Sequence, residues 1–82
     1  MKTLVHNETK ESRFVFNDAD GVRLTENMTY CPGFNIADMN STNSTLVENV
    51  TLPDGWYAGK YLYNAGAWTL NPNWVDPNTP SA

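Results

Sequence analysis

Apolar residues never keep helical spacing for more than about a turn along this chain, whereas β-branched and aromatic residues recur in short alternating runs between turn formers. The pattern predicts an all-β fold: a small antiparallel sheet, sandwich or barrel-like, built from hairpins with extended termini. Arg13-Phe14-Val15-Phe16 and Val22-Arg23-Leu24-Thr25 put Phe14 and Phe16, and Val22 and Leu24, on single faces. The Asn/Asp/Gly run 17–21 between them predicts a hairpin. An earlier strand is expected around Thr3 to Asn7, where the adjacent Leu4 and Val5 leave alternation untested.

Pro32-Gly33 fixes φ at one residue and permits positive φ at the next, as a type II turn requires. The polar run Asn40-Ser41-Thr42-Asn43-Ser44-Thr45 competes for its own backbone hydrogen bonds and predicts a loop or solvated bridge between two halves of the chain. Beyond it, Leu46, Glu48, Val50 and Leu52 share one face of a predicted strand that stops at Pro53-Asp54-Gly55. Tyr57, Tyr61 and Tyr63 share a parity with Gly59 between them, Asn64-Ala65-Gly66 predicts a three-residue loop closed by a glycine bulge, and Ala67-Trp68-Thr69-Leu70 runs back. Pro72 ends regular pairing because it has no N–H to donate. Residues 1–75 are therefore expected to form a single small β domain, and 76–82 an extended or disordered Pro-rich tail.

Size makes the core marginal. The chain has 82 residues, of which sixteen are Leu, Ile, Val or Phe, about the fraction below which chains tend to stay disordered. Its three Trp and four Tyr supply the missing apolar area. Six of the ten aromatic residues lie between Trp56 and Trp74, and Asp76 is the one charged residue between Tyr61 and Ala82. Such a stretch has little to keep it from another apolar surface.

A net charge of −4 repels phosphate backbones and anionic headgroups, so neither nucleic acid nor a membrane is an expected partner. No run of apolar residues is long enough to span a bilayer, and the polar start of the chain reads as soluble and not exported by a signal of its own. A single cysteine, Cys31, forms no internal disulfide and no thiolate zinc site; in its apolar setting it reads as a structural thiol. The lone His6 has no histidine partner for a metal and reads as a surface residue.

Asn17-Asp18-Ala19-Asp20-Gly21 has the spacing of the front of a calcium loop. With Gly21 at the sixth position, however, Phe16 and Asn27 stand where the first ligand and the bidentate glutamate belong. The five Asn-x-Ser/Thr sequons, at Asn7, Asn27, Asn40, Asn43 and Asn49, are assigned to loop chemistry. No serine stands in a Gly-x-Ser-x-Gly elbow, no paired carboxylates sit in an apolar setting, and no cofactor is implied. The chain is not expected to be an enzyme. Three roles remain for the aromatic cluster: filling the core, anchoring a protein interface, or stacking on sugar faces.

Residues 53–77, Pro-Asp-Gly-Trp-Tyr-Ala-Gly-Lys-Tyr-Leu-Tyr-Asn-Ala-Gly-Ala-Trp-Thr-Leu-Asn-Pro-Asn-Trp-Val-Asp-Pro, resemble the C-terminal segment of small tail-associated proteins of tailed bacteriophages. In those proteins a Pro-x-Gly/Asp-Trp start leads into a Gly-x-Tyr hairpin, an aromatic return strand and a proline-rich end. The resemblance covers under a third of the chain and includes no catalytic signature. It implies a virion component of tail fibre, baseplate, neck or capsid, present in many copies and acting through contacts with other virion proteins or with itself.

The expectation is thus a non-enzymatic structural protein of a tailed-phage particle, with Trp56, Tyr61, Tyr63, Trp68 and Trp74 as contact residues. The alternatives are a carbohydrate-binding or receptor-recognition module, and a small inhibitor of a host protein whose acidic surface mimics nucleic acid.

Overall fold

The computed structural model describes residues 1–75; the expected Pro-rich tail, 76–82, lies outside the described residues. The all-β class is observed, with strands in small antiparallel sheets of two and three strands and no helix among the described residues. The strands are β1 (Lys2–His6), β2 (Ser12–Phe16), β3 (Arg23–Leu24), β4 (Thr29–Cys31), β5 (Phe34–Ile36), β6 (Ser44–Val47), β7 (Tyr61–Asn64) and β8 (Ala67–Leu70). They pair in the orders β2-β1-β6, β3-β4-β5 and β7-β8.

The expected strand near Thr3 is β1, the centre of the first sheet. Thr3 and Leu4 point to opposite faces by strand alternation and both are 0% exposed, so β1 is covered on both sides. On one face Leu4 lies beside Phe14 and Leu46 on the neighbouring strands. Together with Phe16 they pack against Ile36, Met39, Val22, Leu24 and Cys31 from the second sheet and its connections. The rings of Phe14, Phe16 and Phe34 lie 6.3–6.5 Å apart across this junction.

The predicted hairpin of residues 13–25 is corrected. β2 pairs with β1, and β3 pairs with β4 in the other sheet. The shared face of Phe14, Phe16, Val22 and Leu24 is as expected, but these residues meet across the core instead of along a ladder. The loop between them is a sheet-to-sheet connection. Asp20 Oδ2 accepts from the Asn17 backbone N–H at 3.0 Å, and Lys2 Nζ donates to the Asp20 carbonyl at 2.7 Å. Asp20 N–H also donates to the Asn17 carbonyl at 3.0 Å, which closes a β-turn over residues 17–20 without bringing the two strands side by side.

Three further boundaries differ from expectation. The strand predicted from Leu46 to Leu52 is Ser44–Val47, because Asn49 takes φ 59° and ends the extended run. Its first two residues come from the polar stretch, which is looped only as far as Asn43. There Asn40 Oδ1 accepts from the Thr42 and Asn43 N–H groups and Asn43 Oδ1 accepts from the Asn40 N–H. In the C-terminal hairpin Asn64 pairs directly with Ala67, leaving a two-residue loop in place of the predicted three. Ala65 and Gly66 take φ 52° and 84°, the positive pair that defines a type I′ turn. Tyr57 stands before β7, in a turn that Lys60 N–H closes onto the Tyr57 carbonyl at 3.0 Å. The Pro32-Gly33 reversal is found where predicted, with Cys31 opposite Phe34 and Gly33 at φ 83°.

Candidate functional site

The β7–β8 ribbon carries the aromatic cluster, and its register decides which rings meet. Tyr63 lies opposite Trp68, and Tyr61 opposite Leu70, so these four side chains share one face. The Tyr63 and Trp68 rings are edge to face at 4.7 Å, and Tyr61 meets Trp68 at 6.3 Å and 87°. Tyr61, Tyr63 and Trp68 are half-buried, while Leu70 is 64% exposed. Leu62, Thr69, Asn64 and Ala67 take the other face.

The ribbon is held by polar contacts along one edge. Tyr63 N–H donates to the Lys10 carbonyl and Gly59 N–H to the Ser12 carbonyl, each at 2.9 Å, with Glu11 and Leu62 bridged between them. A bulge in β2, where the register with β1 shifts between Leu4 and Val5, leaves Arg13 without a partner on β1, while His6 N–H still donates to the Glu11 carbonyl at 3.0 Å. Glu11 Oε1 accepts from Arg13 Nη2 at 2.7 Å and Nε at 3.2 Å, and its Oε2 accepts from Asn71 Nδ2 at 3.1 Å. The guanidinium bonds hold the Glu11 carboxyl below the usual carboxylate range, against a smaller opposing effect of burial. Asn71 Nδ2 also donates to the Gly59 carbonyl at 2.9 Å, so this amide joins the end of β8 to β2 and to the turn before β7.

The predicted contact residues fall into three settings. Tyr61, Tyr63 and Trp68 come together on the ribbon face. Trp56 lies apart: its indole Nε1–H donates to Ser12 Oγ at 3.0 Å, and Ser12 is fully buried beside Thr3. Trp74 follows the ribbon, 5.8 Å from Tyr57, with Lys60 Nζ 5.4 Å from its ring centre. Lys60 also stands 5.6 Å from the Tyr61 ring and donates to the Gly55 carbonyl at 3.1 Å, so one ammonium joins the two aromatic groups. Tyr61 Oη donates to the Asp54 carbonyl at 3.0 Å.

Trp74 also lines an open groove of about 560 Å³, with Arg13, Phe14, Asp38, Met39 and Asn73 among its other walls. Sequence reading missed this groove because its walls come from segments far apart in the chain. Glu11 and Asn71, which set the ribbon's angle, were likewise missed: they are 60 positions apart.

The remaining candidates have structural roles. Cys31 is half-buried in the core, where burial pushes its thiol up. His6 was expected at the surface; it is half-buried, with Nδ1 enclosed and without a hydrogen-bond partner. Among the described residues no three His, Cys, Asp or Glu side chains group to hold a metal ion, and no helix is long and apolar enough to cross a membrane. Asn40 and Asn43 spend their amides on loop hydrogen bonds, and Asn7 Oδ1 accepts from Thr45 Oγ1 at 2.6 Å.

No family model, no curated protein and no solved structure matches this chain.

Proposed function

We propose that this chain is a non-enzymatic structural protein of a tailed-phage virion, in tail fibre, baseplate, neck or capsid, and that it acts through protein–protein contacts. The observation that carries the contact reading is the ribbon: Tyr61, Tyr63, Trp68 and the exposed Leu70 form one apolar face with no charged residue between Tyr61 and Val75. Trp and Tyr are the side chains that most often anchor protein interfaces. The phage setting rests on the resemblance of residues 53–77 to small tail-associated proteins.

In this reading Trp68, Tyr61 and Tyr63 are the anchors, Trp56 braces the segment before them, and Trp74 ends the contact surface. Virions purified from the phage that encodes the chain should contain it in many copies by quantitative mass spectrometry. Trp68→Ala should reduce its incorporation at least about fivefold, since truncating one desolvated anchor costs about 1–3 kcal/mol. Absence of the protein from the particles, or full incorporation of the variant, would sink the proposal.

The groove favours a second reading, a carbohydrate-binding or receptor-recognition module. An indole wall beside Arg13, Asp38 and Asn73 offers a sugar ring both a stacking surface and planar hydrogen-bonding groups. Glycan-array binding that disappears in Trp74→Ala but survives in Trp68→Ala would select this reading over the first.

A further inference from the structure

Among the described residues, backbone hydrogen bonds from outside the ribbon reach one of its two edges. In a two-residue hairpin the pairs alternate between hydrogen-bonded and non-hydrogen-bonded, beginning with a hydrogen-bonded pair at the turn. Asn64 with Ala67 and Leu62 with Thr69 are therefore the bonded pairs, and Tyr63 with Trp68 and Tyr61 with Leu70 the non-bonded ones. Two contacts agree with this phase: Tyr63 N–H points out to the Lys10 carbonyl, and Asn71 N–H points in to the Lys60 carbonyl at 2.8 Å. On β8 the N–H and C=O groups of Trp68 and Leu70 must then point away from β7. Among the described residues no backbone hydrogen bond from outside the ribbon reaches either of them.

We infer that the β8 edge pairs with β8 of a second copy of this chain, antiparallel about a two-fold axis through Thr69, so that two ribbons join into a four-stranded sheet. The inference rests on the protein–protein reading above and names the partner. The register follows from the positions of the free groups. Outward groups on residues 68 and 70 are complementary to the same pair running the other way: Trp68 meets the partner's Leu70, Leu70 meets the partner's Trp68, and four N–H···O=C bonds form. Thr69 then faces the partner's Thr69 as a non-hydrogen-bonded pair, Cα atoms about 4.5 Å apart. Pro72, next in the outward phase, has no N–H and ends the ladder.

Two more observations select a second copy as the occupant. The pairing places each exposed Leu70 beside the partner's Trp68 on the same face, which extends the row of rings across the junction. Although the chain carries a net charge of −4, residues 61–75 hold no charged side chain, so like copies meet there without facing charges. A four-residue edge buries less than the roughly 1,200 Å² of a standing dimer. Association in solution is therefore weak and concentration-dependent, and it strengthens when many copies are held close together.

Sedimentation equilibrium over about 10 µM to 1 mM should show the average mass rising from monomer toward dimer. Amide hydrogen exchange over the same range should show the Trp68 and Leu70 N–H groups gaining protection, while the Thr69 N–H, bonded within the ribbon, stays protected throughout. Thr69→Lys sets two ammonium groups directly opposite each other in this register, on the face away from the rings. It should weaken association at least tenfold without changing the circular dichroism or Tm of the monomer. A monomer at every concentration overturns the inference; so does a dimer that Thr69→Lys leaves intact, which would mean that the rings pair face to face. If the protein stays monomeric while Trp68→Ala still blocks incorporation into virions, self-pairing fails and the protein–protein reading stands.

Discussion

Trp56 and Ser12 offer a stringent test of how the aromatic segment is tied to the first sheet. Thr3 Oγ1 donates its one proton to the Phe14 carbonyl at 3.0 Å, so in the 2.5 Å contact between the two hydroxyls Ser12 must be the donor and Thr3 the acceptor. Ser12 Oγ is thereby left to accept from the indole N–H of Trp56. The result is a directed chain, Trp56 to Ser12 to Thr3 to Phe14, through two residues that are fully buried. Trp56→Phe removes one neutral hydrogen bond, about 0.5–1.5 kcal/mol, together with some indole packing. Ser12→Ala orphans the indole donor and deprives Thr3 of its incoming proton, about 1–3 kcal/mol.

The double variant has no orphaned indole donor, so its loss should fall short of the sum of the single losses by about 0.5–1.5 kcal/mol. The packing lost with the indole appears in both arms of the cycle and cancels. Urea denaturation resolves the difference, because the whole stability of an 82-residue domain is about 4–12 kcal/mol. Losses that add to within about 0.3–0.5 kcal/mol would refute the directed chain and reduce Trp56 to an apolar contact.

The type I′ turn predicts a gain. Ala65 is held at φ 52°, where a Cβ is disfavoured and Asn is better tolerated, so Ala65→Asn should raise stability by about 0.5–1 kcal/mol and Tm by a few degrees in a thermal melt. Glu11 predicts a pH dependence. Its folded carboxyl sits below the unfolded value, so its contribution is fully present above about pH 4.3 and is lost as pH falls through the lower folded value. The stability gap between the native chain and Glu11→Gln should therefore shrink from pH 6 to pH 3 in urea titrations; a gap that stays constant would mean that Arg13 does not hold the carboxylate.

What the sequence made legible was local. Pro32-Gly33 names its turn because Pro32 fixes its own φ and Gly33 takes positive φ without penalty. The parity of Phe14, Phe16, Val22 and Leu24 gave the right buried face, since alternation belongs to each strand separately. It did not give the partner. β2 returns beside β1 through a turn with Lys10 at φ 65°, a residue that carries no turn signal, and the stronger Asx/Gly signal after β2 drew the pairing to the wrong neighbour. The end of β6 at Val47, just before Asn49, was hidden for the same reason: an uninterrupted alternation through Leu52 says nothing about one asparagine taking positive φ. At the candidate site the crowding of rings was visible, whereas the links that orient them, Trp56 to Ser12 and Asn71 to Glu11, span 44 and 60 positions.

The way the ribbon is attached bears on why the rings are there at all. The core gathers Leu4, Phe16, Ile36 and Met39 with Phe14, Val22, Leu24, Cys31 and Leu46, and no ring of the ribbon belongs to it. An isolated two-stranded ribbon is marginal in water, and this one is pinned by backbone bonds to residues 10–12 and by the Glu11–Asn71 link, all of which are polar. Tyr61, Tyr63 and Trp68 stack on one another outside that core, with the exposed Leu70 on the same face. If they were there to support the core, Trp68→Ala would lower stability by the 3–5 kcal/mol of a buried aromatic truncation. If they are there for contact, the same change should cost the monomer only about 1–3 kcal/mol, the value of the two ring pairs it breaks, and should register mainly where the chain meets its partner.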